Sequence, residues 1–187
     1  MVSVHVTSPA RLSCRHLVIP GDPPGAADVL ARASGLSKGV VKDAMRKGAV
    51  WVGRAGRSKN RLRRETATVR PGDVLEIHYD PELLALRAPE ATLVRDAARW
   101  SAWLKPAGLL SQGTEFGDHA SLLRQVEKTL DRPAFLVHRL DREVEGLVLV
   151  AHDSQAAAAL SALLREAKVV KRYRAEVVGD VEADRGA

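Results

Sequence analysis

At 187 residues, 45% of them hydrophobic and 28% charged, the chain has the make-up of a folded protein with room for one ordinary domain or two small ones. It holds no apolar run near the ~18 residues of a membrane span, and its first thirty residues lack the basic start and apolar core of a secretion signal, which predicts a cytoplasmic protein with no membrane partner. The single cysteine, Cys14, excludes an intramolecular disulfide and a multi-cysteine metal site, while a net charge of +6 and a pI near 9.8 point toward a polyanionic partner.

The first dozen residues show no clear period, and Gly21-Asp22-Pro23-Pro24-Gly25 is a turn cluster ahead of the first helical pattern. Residues Ala26 to Ala33 predict a short helix ended by Gly35, and Ser37 is placed to cap a second helix running to about Lys47. On that second helix Lys38, Lys42 and Arg46 stand at i, i+4 and i+8 and share one face. From Arg32 to Asp73 twelve basic residues meet three acidic ones, a net of +9, so the rest of the chain sums to −3. The stripe could be the solvated face of an amphipathic helix, but so unbalanced a segment repels itself unless a polyanion relieves it, which favours phosphate contact. Ala49 to Val52 predict a strand with Trp51 in its core, and Gly53 to Asn60 a basic loop that includes Arg54 and Arg57. Pro71-Gly72-Asp73 is a strong turn signal before an alternating strand at Val74 to Tyr79.

A connector at 81–90, partly helical and broken by Pro89, marks a boundary between a first module at 1–80, with its core at about 26–79, and a second at 91–187. The second predicts strands at 91–94, 100–104, 147–151 and 169–178, and helices at about 119–130 and 154–167, the last capped by Ser154. The expected class is α+β: a small helix-rich module followed by part of a mixed-sheet domain. Within the second module, Phe135 to Ala151 set His138-Arg139-Leu140-Asp141 and further charged residues between two apolar runs, each short enough to be a strand. Charged groups held there would be partly shielded from water. They could form a salt bridge that pins a strand connection, or a functional cluster.

Three segments, in order, tip that balance. His138-Arg139-Leu140-Asp141 followed by Gly146 and an apolar strand resembles the signature of RluA-type pseudouridine synthases. Leu104-Lys105-Pro106-Ala107-Gly108-Leu109 resembles that family's upstream lysine-proline-glycine segment, and Lys171-Arg172-Tyr173 its downstream lysine-x-tyrosine strand. The first module, from Ala26 to Tyr79, is similar to the small RNA-binding unit named after ribosomal protein S-four, on Leu36-Ser37-Lys38, on Met45 to Gly53 and on Val69 to Leu75; such a unit commonly precedes the family's catalytic domain.

The resemblance implies that Asp141 attacks the target nucleoside covalently, so that the base is released, rotated and reattached through carbon. It implies that Arg139 holds the RNA with the target nucleotide extruded, and that Tyr173 lies against the flipped base. The expected RNA contacts are Lys38, Lys42, Arg46, Lys47, Arg54, Arg57, Lys105 and His138, with Lys105 either a phosphate contact at the pocket rim or a solvated strand-end lysine. Structured ribosomal or transfer RNA is the expected partner of a monomer that needs neither metal nor cofactor; His78, His119, His138 and His152 have no metal-ligand spacing.

Two features depart from the family pattern. Val144-Glu145 replaces small hydroxylic residues, and the glycine-arginine-threonine-histidine-glutamine-like motif, whose arginine pairs with the catalytic aspartate, is missing before Ala187. The catalytic domain therefore reads as C-terminally truncated. The competing expectations are a catalytically inactive RNA-binding protein and, more remotely, a hydrolase using Asp141 with His138.

Overall fold

In a computed structural model, residues 2–8, 11–54 and 56–179 are described. The fold is α+β and holds two antiparallel sheets, each with its own apolar core. No helix among the described residues is long and apolar enough to cross a membrane.

The first sheet combines β1 (Val2–Ser8), β2 (Arg11–Leu17), β3 (Val50–Arg54), β4 (Asn60–Arg61) and β5 (Asp73–Tyr79) in the order β1-β2-β5-β3-β4. Its inner face is covered by α1 (Ala26–Ser34) and α2 (Lys38–Arg46), so that Leu30, Val41 and Met45 pack on Val50, Leu75 and Ile77 with no exposed surface. Local chemistry sets the helix ends. Gly35, at φ +76°, caps α1 by returning its N–H to the Ala31 carbonyl, and the Ser37 hydroxyl accepts the Val40 N–H at 3.3 Å to start α2.

This half is richer in strand than expected. The opening residues form β1 and β2, which pair in register from Val2 opposite His16 to Val6 opposite Leu12. Trp51 is also not a core residue. It is half-buried, its Nε1–H donates to the Glu115 carbonyl at 3.1 Å, and the Arg61 guanidinium lies 4.2 Å from its ring centre. Cys14 is buried opposite Ile77, and that burial pushes its thiol pKa up, as befits a packing residue.

The stretch 81–90 begins with a short helix, α3 (Pro81–Ala85), whose Leu84 belongs to the first core. The second sheet then runs β6-β7-β9-β8 from β6 (Thr92–Asp96), β7 (Trp100–Lys105), β8 (Phe135–Leu136) and β9 (Gly146–Ala151). All its ladders are antiparallel, where a mixed sheet was expected. One face packs Trp103, Val148 and Val150 against Leu122 and Val126 of α4 (Leu122–Leu130). The Ser121 hydroxyl caps this helix, which therefore starts three residues later than the sequence predicts. On the opposite face Leu104 and Leu147 are exposed.

Two further expectations fail. The last helix, α5 (Ser154–Arg165), forms where it is predicted but is capped by Asp153 rather than Ser154, and it packs on β8 and β9 with Ala156, Leu160 and Leu164 only half-buried. Residues 169–178 form no strand, because among the described residues no ladder partner lies beside them to take up their N–H and C=O groups.

Candidate active-site loop

The connector between β8 and β9 carries the His138-Arg139-Leu140-Asp141 sequence, and its backbone is held from three sides. On the first, the His138 Nε2 accepts the Leu149 N–H at 3.0 Å, which ties the connector to β9. On the second, the Ser111 hydroxyl donates to the Leu140 carbonyl at 2.5 Å and accepts the Leu140 N–H at 3.1 Å. On the third, the Arg142 carbonyl accepts the Gly108 N–H at 2.7 Å and the Lys105 ammonium at 3.3 Å. Gly146 completes the arrangement: a Cβ there would stand 3.2 Å from Leu140 Cδ1, so a bare backbone lets Leu140 pack inward while Asp141 turns outward.

Asp141 itself is exposed, as are Arg142 through Glu145. The expectation of a shielded carboxylate is corrected here. The two apolar runs do form strands, but the connector stands at the surface beside them rather than between core layers. No ion pair or side-chain hydrogen bond joins Asp141 to Arg139 or Tyr173 among the described residues. Arg139 is exposed, and Tyr173, 69% exposed, lies in the strandless stretch after α5. Lys171, two residues before Tyr173, lies near enough for its charge to bear on His138.

Lys105 requires a second correction. It is fully buried, with its ammonium bonded to the carbonyls of Leu109 at 2.8 Å, Pro106 at 3.1 Å and Arg142 at 3.3 Å. An ammonium committed to three carbonyls inside the fold is neither a rim contact for phosphate nor a solvated residue. Burial pulls its pKa down, while Glu143, Asp141 and Glu145 oppose the shift, so a buried cation lies within reach of the acidic connector. His138 is likewise committed through one ring nitrogen, and burial, with the Lys171 charge, lowers its pKa and keeps the accepting form.

Of the basic residues expected on the first unit, most already carry an acid. Lys38 pairs with Asp28 at 2.6 Å, Arg46 with Glu65 at 2.6 Å and Asp43 at 3.0 Å, Lys47 with Asp43 at 2.8 Å, and Arg54 with Asp73 at 3.1 Å. Lys42 and Arg57 pair with no acid among the described residues. Arg57 and Arg54, with Arg15, Lys59 and Trp51, line a shallow pocket of about 100 Å³.

A larger groove of about 560 Å³ opens where the two halves meet, lined by Arg11, Asp80, Leu110, Phe116 and Arg142 among others, and so reaches the residue next to Asp141. The halves are joined beside it. Asp118 forms ion pairs with Arg63 and, at 3.2 Å, with Arg61, and its N–H donates to the Lys47 carbonyl at 3.0 Å. Sequence reasoning passes over Ser111 and Asp118. Each acts on a partner some thirty or more residues away and sits in no local pattern, and only the place of Ser111 just after the Lys105–Gly108 segment hints at its use.

Comparison with known proteins bears on the same half. The sequence model of the family described as RNA pseudouridylate synthase matches residues 99–186. A Helicobacter pylori protein named as an uncharacterised RNA pseudouridine synthase is 30% identical over 129 residues, covering 66% of this chain and 42% of that protein. A similarly named Mycoplasma pneumoniae protein is 39% identical over 70 residues, 37% of this chain and 22% of the other, and a Mycoplasma genitalium counterpart 36% over 75 residues, 40% and 24%. The segment that bears the Asp141 connector is thus similar to RNA pseudouridine synthases. The chain spans less than half the length of the curated relatives it matches.

Proposed function

We propose that the protein is an RluA-type synthase that isomerises specific uridines in structured ribosomal or transfer RNA, with Asp141 as nucleophile. The carrying observation is the Asp141 connector itself: an outward-facing carboxylate on a backbone pinned by His138, Ser111 and Lys105, next to a groove wide enough for an extruded nucleotide. Its carboxylate attacks the target nucleoside and the bond to N1 breaks, the base turns and rejoins through C5, the C5 proton leaves with help from the Tyr173 hydroxyl while N1 takes up a proton, and the carboxylate is released. Arg139 holds the displaced strand, and Tyr173 meets the base once the segment after α5 closes over it. Residues 1–80 act as an S-four-like docking module that follows phosphates by shape and charge, through Lys42 and Arg57 first and through Lys38, Arg46, Lys47 and Arg54 where RNA displaces their acids. Residues 81–90 join it to the synthase domain at 91–187, and the whole works as a monomer in the cytoplasm.

Tritium release from RNA labelled at uridine C5 tests the catalytic reading. Release is expected with the wild-type chain and lost with Asp141→Asn; release that persists in that variant removes Asp141 from the chemistry. A second reading, RNA binding without catalysis, is favoured by the absence of a cation paired with Asp141 among the described residues. RNA binding with no release by the wild-type chain selects it.

A further inference from the structure

Residues Leu110 to Ser121, between β7 and α4, touch both the first unit and the Asp141 connector. At the outer end Asp118 meets Arg61 and Arg63, the Glu115 carbonyl accepts from Trp51, and the Thr114 carbonyl accepts from Arg61 at 2.8 Å. Glycines stand where the two halves come closest. A Cβ on Gly48 would overlap the Asp118 carboxylate and the Arg63 guanidinium, and one on Gly117 would stand 3.2 Å from the Lys47 carbonyl. At the inner end Ser111, 6% exposed, occupies both polar groups of the Leu140 backbone with its single hydroxyl.

The loop between these ends is stiff. Leu110 and Ser121 form a bridge, with the Leu110 N–H donating to Ala120 at 3.3 Å and the Leu122 N–H to Leu110 at 2.7 Å. The Leu123 N–H donates to Ser111 at 3.3 Å, Thr114 and Gly117 exchange two backbone bonds, and Gly113 leaves no room for a Cβ beside Asp118. A stiff segment bonded at both ends passes a displacement of one end to the other.

We propose that the 110–121 loop is a brace that sets Asp141 relative to the RNA-docking unit, with Ser111 as the positioning residue at one end and Asp118 as the anchor at the other. Binding of RNA on the first unit and placement of the nucleophile are then coupled through this loop rather than through the 81–90 connector. The role at Asp141 rests on the isomerase reading above, whereas the brace itself can be measured without turnover.

The test is amide hydrogen exchange on the full chain for the wild type, Ser111→Ala, Ser111→Thr and Asp118→Ala, alongside tritium release. Loss of the Ser111 hydroxyl should speed exchange at Leu140 by about tenfold while Val148 and Val150 in β9 keep their rates. Ser111→Thr, which retains a hydroxyl, should keep Leu140 slow. Asp118→Ala should speed exchange at 114–118 and, by a smaller factor, at Leu140. In turnover, Ser111→Ala should lower kcat with KM for RNA unchanged, and Asp118→Ala should raise KM as well. Wild-type exchange at Leu140 in Ser111→Ala overturns the positioning role. Should that variant not fold, unchanged Leu140 exchange in Asp118→Ala overturns the coupling. The expected exchange pattern without turnover in the wild type overturns the isomerase reading and leaves the brace intact.

Discussion

His138 and His119 show how burial fixes the working form of a side chain. His138 accepts a backbone N–H through Nε2, which only the form unprotonated at that nitrogen can do. His119 bonds the Leu86 carbonyl through Nε2 at 3.2 Å, and its Nδ1 is buried without a partner, so a second proton would bring a charge into the fold. Burial lowers the pKa of both below the usual histidine value, with the Leu86 bond partly opposing the shift at His119. The unfolded chain therefore takes up protons first as pH falls through about 6.5, and stability declines from there down through the folded-state values. The slope is at most about 1.4 kcal/mol per pH unit for each proton. Urea denaturation between pH 7 and pH 5.5 should show the decline, and His119→Asn with His138→Asn should flatten it. The acids with lowered pKa, such as Asp96 and Asp153, do not contaminate this window, since they lose stability only at still lower pH. An unchanged slope in the double variant would assign the decline to other groups.

At the scale of elements, the seam between the two sheets gives a paired test. Gly48, at φ +81°, and Gly72, at φ +91°, hold the same left-handed backbone, but only Gly48 faces a neighbour, the Asp118–Arg63 pair. Alanine at Gly72 carries the conformational penalty alone, roughly 1 kcal/mol. At Gly48 it must also shift the Asp118 carboxylate and the Arg63 guanidinium and so weaken their pair, and urea denaturation should show Gly48→Ala losing about 1 kcal/mol more than Gly72→Ala. Equal losses would mean that the seam adds nothing to stability.

The same contrast explains what the sequence makes legible. Pro71-Gly72-Asp73, Gly35 and Ser37 act on residues within four positions, so α1, α2 and β5 follow from local chemistry. The Asp141 connector is legible for the same reason, since its two apolar runs and Gly146 lie close together in the chain. The seam is not, because Arg63 and Asp118 are 55 positions apart. β2 hides because one of its inward positions is His16, buried with an Asp22 partner, which breaks the apolar alternation. The stretch 169–178 has the composition of a strand, but composition supplies no ladder partner, and Tyr173 stands exposed in consequence.

For the whole molecule, the net charge of +9 between Arg32 and Asp73 overstates what an RNA backbone would meet. Arg61 and Arg63 are spent on Asp118, and Lys38, Arg46, Lys47 and Arg54 each hold a carboxylate. Most of these last pairs are half or more exposed on the basic side, so each is worth no more than about 1 kcal/mol and yields to a phosphate. Yielding, however, leaves a carboxylate behind, so the net gain per cation is less than for one that is unpaired. Lys42 and Arg57, like Arg32, Arg64 and Arg70 without an acid among the described residues, should therefore each contribute more to the electrostatic share of binding than the paired cations. Replacing both with alanine should reduce the slope of log affinity against log salt by about 0.7 to 0.9 for each phosphate left without its cation. Replacing Lys38 and Arg46 should reduce it by less, because their carboxylates already stand in for part of the released counterion. Filter binding to structured RNA across a salt series measures both, and a larger drop for the Lys38 and Arg46 pair would mean that RNA takes over the ion-paired face of α2 rather than the unpaired cations.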